Sequence, residues 1–184
     1  MDKDLVNLKV GVSSKSGSAI ARKQLALRDE LWRGTEGKLW HRSANKGFAT
    51  IPKTMPMILR IMDAMSKGFP LSSTYLSLWC ATWDNSFVIL KGRDLAYASG
   101  FSGQRGERTW GGRMRMLQGL GFIDIKPGKS GEFSYALIFN PHIVIRNHHE
   151  AKTPGLTESD FTALLEAAVD VGAMDMVSEA GKAA

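Results

Sequence analysis

The tightest constraint on this chain lies in 94–139, where two hydrophobic periods meet at a glycine. Trp110, Met114, Leu117 and Leu120 recur at steps of four, three and three, the spacing of one buried helix face. Directly after Gly121 the period becomes two. Ile123 and Ile125 alternate with Asp124 and Lys126, and Phe133, Tyr135, Leu137 and Phe139 alternate with Ser134, Ala136 and Ile138. Ahead of the long helix, Leu95, Ala96 and Tyr97 lead to Gly100. The small alanine lets a second helix cross closely, and glycine supplies a left-handed turn. A short helix, a turn, a longer helix and a hairpin are therefore expected in that order.

The longer helix carries positive charge on the side away from its apolar stripe. Arg108, Gly111, Gly112, Arg115 and Gly119 fall there at helical spacing. Two adjacent glycines cost an isolated helix about 2 kcal/mol relative to two alanines. Close approach of the backbone to DNA would offset that cost; a kinked helix, or tight packing on a neighbour, is the plainer alternative. Arginine makes paired hydrogen bonds to the guanine edge, and glutamine does so to adenine. Gln104, Arg105 and Arg108 stand at the amino end of the helix, where base readers normally sit, and Arg113 and Arg115 are assigned to phosphates. Glu107 suits the helix start, where an acid meets the positive end of the dipole. The hairpin turn, 126–131, brings Lys126 and Lys129 to a tip suited to the DNA backbone or minor groove, with a plain turn as the alternative. It is no phosphate-binding loop, because Gly128, Lys129 and Ser130 lack the earlier glycine at the required interval.

This order of elements resembles the winged-helix group of helix-turn-helix DNA-binding domains. Leu117-Gln-Gly-Leu-Gly121-Phe-Ile123 resembles the end of a recognition helix running into a wing strand. The step from Gly100 to Gly121 is longer than the common pattern by about one helical turn, so 101–105 is expected to be an extended loop. Beyond the hairpin, Asn140-Pro141 and the apolar residues up to Arg146 resemble winged-helix replication initiators of bacterial plasmids. That similarity covers 54–146 and implies origin binding in a mobile-element setting, in replication, maintenance or transcriptional regulation.

The flanks are less specific. Ser13 to Gly17 marks a flexible arm, and good helix formers follow, with Ile20, Gln24, Leu27 and Leu31 on one face and Gly34 as a stop. This helix, expected over about 18–33, could pack on the domain, pair two subunits or lie along phosphates. Thr54-Met55-Pro56 opens a helix whose Ile58, Ile61, Met62 and Met65 face a core. A further helix, 73–82, is expected to turn Tyr75, Leu76, Trp79 and Cys80 inward, and 87–90 reads as a strand. His148-His149 falls in a solvated link, since no ligand partner stands at metal spacing. Thr157 caps a last helix, with Phe161, Leu164, Leu165, Ala168 and Val169 as its stripe, and 175–184 should fray. The expected class is α+β, mainly α. Residues 1–53 form a basic arm with one helix, 54–147 a winged-helix domain with a small β-hairpin wing, and 148–184 a linker and an acidic C-terminal helix.

Charge separates these parts. Residues 150–184 hold seven acids against Lys152 and Lys182, a net −5, which leaves 22 basic and 11 acidic side chains, or +11, in 1–149. A basic body attracts polyanions, of which nucleic acid is the commonest in a cytoplasm, although solubility alone also uses charge. No run of 18 apolar residues exists, Met1-Asp-Lys-Asp lacks a secretory pattern, and the single Cys80 forms no internal disulfide. A cytoplasmic protein is expected, without membrane span, metal, cofactor or catalytic constellation, binding double-stranded DNA. A homodimer and a protein partner for the acidic helix stay open, as does a protein–protein adaptor as the alternative function.

Overall fold

Residues 19–83 and 85–177 are described by the computed structural model, so the expected arm at 1–16, and 178–184 of the segment 175–184 expected to fray, lie outside the described residues. The chain divides between Gly47 and Phe48 into two units. The first holds helix α1, over 19–31, and a short 3-10 turn, Glu36–Lys38. The second runs α2 (Met55–Met65), α3 (Ser72–Ala81), β1 (Phe87–Ile89), α4 (Gly92–Ala98), α5 (Gly106–Gly119), β2 (Ile123–Gly128), β3 (Gly131–Ile138), α6 (Pro141–Glu150) and α7 (Glu158–Asp170), then a 3-10 turn, Met174–Met176. Both strand pairings are antiparallel and the sheet order is β1-β3-β2. The described residues are thus α+β and mainly helical, in a layout compatible with a winged helix. None of their helices is long and apolar enough to cross a membrane.

The core grows from the periodic stripes. Ile58, Ile61, Met62 and Met65 of α2 are buried, with Met55. In α3 the inward line is Leu71, Thr74, Tyr75 and Leu78. Trp79 is therefore only half-buried and Cys80 faces solvent, contrary to the sequence expectation. The start of α3 is capped from outside: the Asp63 carboxylate of α2 accepts from the Leu71 and Ser72 amides, at 2.6 and 2.9 Å. A carboxylate there satisfies free N–H groups and meets the positive end of the helix dipole. Trp110, Met114 and Leu117 of α5 are buried against this layer, where Tyr75 meets Phe122 edge-on, ring centres 5.7 Å apart. Between α4 and α5, Gly100 takes φ 87° while Phe101 N–H bonds back to the Ala96 carbonyl at 2.9 Å. That six-to-one bond, closing a left-handed residue, stops α4 and sets the angle at which α5 leaves.

Beyond the hairpin the sequence assigns no element to 141–146 and places His148-His149 in a link. Asn140-Pro141 starts a helix: the Asn140 side chain accepts from His142 N–H at 2.9 Å, and proline fits the first turn. His148 and His149 consequently lie on α6 and not in a link, which narrows to 151–157. His148 Nε2 donates to the Leu120 carbonyl at 2.7 Å, tying α6 to the end of α5. His149 stacks on Phe161 of α7 with ring centres 3.7 Å apart and reaches Glu158. Thr157 caps α7 as expected, accepting from Asp160 N–H. Leu164 and Ala168 of this acidic helix are fully buried in the same core as Ile145 and Met62.

Residues 175–177, expected to fray, are held as well. Met176 is buried, and Asp175 lies 3.0 Å from Nδ1 of the buried His142, whose Nε2 is 2.8 Å from the Thr54 hydroxyl. Thr54 therefore gives its side chain to α6 and makes no cap for α2. Burial raises the Asp175 carboxyl, but hydrogen bonds from Asn140 and His142 outweigh it and hold the group below its ordinary value. The stabilisation from Asp175 should be complete above the unfolded value, near pH 4, and disappear as pH falls through the depressed folded one. Acid titrations of unfolding free energy should lose that component in Asp175→Asn. Leu164→Ala should cost about 2–4 kcal/mol in chemical denaturation, against about 0.5 kcal/mol or less for the exposed Val169→Ala.

Candidate nucleic-acid interface

With Trp110, Met114 and Leu117 turned inward, helical geometry leaves Arg105, Arg108, Gly112, Arg115 and Gly119 along the outer side of α5. Arg105, Arg108, Arg115 and Gly119 are exposed, and Gly112 has open space where a side chain would begin. Arg105 and Arg108 sit at the amino end, and among the described residues no side-chain bond holds either guanidinium. The Arg105 carbonyl accepts from both the amide and the hydroxyl of Thr109, which pins the first turn of α5. Gln104 is exposed in the preceding turn, in an open cleft of about 750 Å³ that it shares with Arg93, Tyr97 and Phe101. Lys91 and Arg93, also exposed at the start of α4, add cations that sequence reasoning did not count. Their only signal was position, next to a helix start that faces the same turn.

The two adjacent glycines have different surroundings. Gly111 is buried under the Phe133 ring: an added Cβ would lie 3.0 and 3.2 Å from two ring carbons. It is a packing site for the hairpin and does not reach the outer face. Phe133 also meets Trp110 edge-on, with ring centres 5.4 Å apart, so β3 closes onto α5 at the glycine. The tight-packing alternative therefore describes Gly111, while Gly112 keeps the open position.

Arg113 and Arg115 are both engaged. The Arg113 guanidinium lies 5.1 Å from the Phe69 ring centre and 5.8 Å from that of Phe101. Such stacking orients a cation and still leaves its charge intact. Phe69 and Phe101 each stand beside a glycine turn, a cue too weak to have marked this contact in sequence. Arg115 makes a two-pronged pair with Glu132 of β3, at 2.8 and 2.6 Å, above the Phe133 ring. The hydrogen bond from Arg115, with its charge, holds the Glu132 carboxyl below its ordinary value against the opposing effect of desolvation. A second tie joins Gln118 of α5 to Asp124 of β2 at 3.1 Å, and Lys126 pairs with Asp124 at 3.0 Å.

The hairpin tip is short. Gly128 pairs with Gly131 across a register shift after Lys126, leaving Lys129 and Ser130 as the turn. Lys129 is exposed there, and no described side chain pairs with it. The fold thus gathers Gln104, Arg105, Arg108, Gly112 and Arg115 on one helix side, with Lys126 and Lys129 on the adjoining hairpin.

Comparison with protein-family models, curated proteins and solved structures finds no match. The interface consequently rests on its own chemistry. Among the described residues no group of three or more His, Cys, Asp or Glu side chains is placed to hold a metal ion. What the outer face of α5 offers at its amino end is the two exposed guanidinium groups of Arg105 and Arg108, suited to phosphate oxygens and base edges, with Arg115 further along held by Glu132 over the Phe133 ring. Alanine at the two glycines should act differently. Gly112→Ala should raise unfolding free energy by about 1 kcal/mol through helix propensity, whereas Gly111→Ala should forfeit that gain because Phe133 must shift. Thermal and urea unfolding of the two variants checks this.

Proposed function

We propose that this chain is a sequence-specific double-stranded DNA-binding protein of the winged-helix type. Its setting is a bacterial plasmid or other mobile element, in replication, maintenance or transcriptional regulation. The observation that carries the reading is the exposed row Arg105, Arg108 and Arg115 on one side of α5. A helix is about 10–12 Å across with its side chains, and the major groove is about 12 Å wide, so α5 fits there. In that pose Arg105, Arg108 and Gln104 read base edges, and the bare backbone at Gly112 and Gly119 lets the helix sit deep. Arg115 spans the two elements, fixing the hairpin through its two-pronged pair with Glu132. Lys126 and Lys129 meet the phosphate backbone, and the net +11 of 1–149 supplies attraction independent of sequence. The mobile-element setting rests on the likeness of 54–146 to plasmid initiators.

A protein–protein adaptor is the second reading, favoured by the outer face of the sheet. Phe87, Ile89, Tyr135 and Leu137 adjoin there and are all exposed, Ile89 by 66%. Contiguous apolar surface of that kind commonly marks a protein contact.

Binding measured over a salt series separates the roles. Arg108→Ala should cost about 1–3 kcal/mol for cognate DNA and relax preference at one base position. Lys129→Ala should weaken cognate and random DNA alike and lower the salt slope by about one. Undiminished cognate affinity in an Arg105→Ala/Arg108→Ala variant would remove α5 as the reading element. No DNA binding at any salt, together with a stable protein complex, would favour the adaptor.

A further inference from the structure

The first unit presents a helix without a core of its own. In α1 nearly every side chain is exposed, including Ile20 at 59%, Leu27 at 55% and Leu31 at 59%. Among the described residues the buried cluster draws on 55–176. The described part of α1 covers between three and four turns, a length marginal in water without packing against something. Its apolar residues therefore call for a partner, and their spacing describes one.

Ile20, Gln24, Leu27 and Leu31 follow each other at steps of four, three and four, the alternation of the two core positions in a heptad. Lys23 and Arg28 then flank this seam on opposite sides, with Glu30 on the side of Lys23. These charges distinguish the two ways of pairing with an identical helix. In a parallel pair Lys23 of one copy faces Arg28 of the other, a cation already paired with Asp29 of its own helix, so that contact offers no attraction. In an antiparallel pair Ile20 layers with Leu31, Gln24 layers with Leu27, and Lys23 faces Glu30, an attraction made twice.

We propose that α1 pairs antiparallel with α1 of a second copy of this chain. The contact is self-complementary about a two-fold axis, the form required of a closed dimer. Gln24 beside Leu27 interrupts the apolar seam and fixes its register, as single polar core residues do in coiled coils. The contact is short, below the roughly 800 Å² per partner of a standard stable interface, so the dimer is weak and dissociates on dilution.

Sedimentation equilibrium of the full chain without DNA, over a range of concentrations, tests it. The unaltered chain should pass from monomer to dimer as concentration rises, and Leu27→Asp should remain monomeric with an unchanged thermal transition of the 48–184 unit. Lys23→Glu should weaken the dimer about tenfold, since two attractions become two repulsions. Lys23→Glu combined with Glu30→Lys should restore it. A tighter dimer in Lys23→Glu would mean parallel pairing and overturn the proposal. So would a chain that stays monomeric throughout, a dimer untouched by Leu27→Asp, or a double exchange that fails to rescue.

Discussion

Burial of Trp110, Met114 and Leu117 is the constraint on which the rest of the second unit depends, because it fixes the rotation of α5 about its own axis. Each such side chain contributes about 1.5–3 kcal/mol when fully buried, and together they exceed the roughly 2 kcal/mol that two glycines cost the helix. With that stripe inside, helical geometry sends Arg105, Arg108 and Arg115 outward. The same rotation puts Gly111 under the hairpin, where the missing side chain admits Phe133. Core, hairpin and charged face are three consequences of one packing choice.

The hairpin is held to α5 by apolar and polar contacts together. Phe133 fills the space over Gly111 and meets Trp110, while Arg115 and Gln118 reach across to Glu132 and Asp124. An exposed ion pair alone stabilises little, but this one is two-pronged and sits above an aromatic ring already fixed by packing. The result is a charged helix and a basic tip held in a fixed relation. Any recognition that uses both needs that relation preserved.

Much of this was legible in the sequence because it is written in periodicity. The step from a 3.6-residue to a two-residue period at Gly121, and the stripes of α2, α5 and α7, identify elements from local pattern alone. What the sequence left hidden depends on partners distant along the chain. Nothing near Thr54 shows that its hydroxyl turns to His142, or that Asp63 caps a helix eight residues on. Asn140-Pro141 carries a helix-start signal, yet in sequence it reads as the close of the strand, with no element assigned to the apolar residues that follow. Cys80 was placed inward by its tryptophan neighbours, whereas the register of α3 is set by Leu71, Tyr75 and Leu78. Of the candidate site, the side of α5 was readable, but the split between Gly111 and Gly112 required Phe133, 22 positions away.

The central claim is that the outer face of α5 reads a DNA sequence. Selecting bound duplexes from a random pool tests it most directly, with the unaltered chain and the Arg105→Ala/Arg108→Ala variant run side by side. The expected result is one recurrent motif enriched by the unaltered chain and lost in the variant, with weak salt-sensitive binding retained. Absence of any enriched motif, or the same motif recovered by both proteins, would contradict the claim.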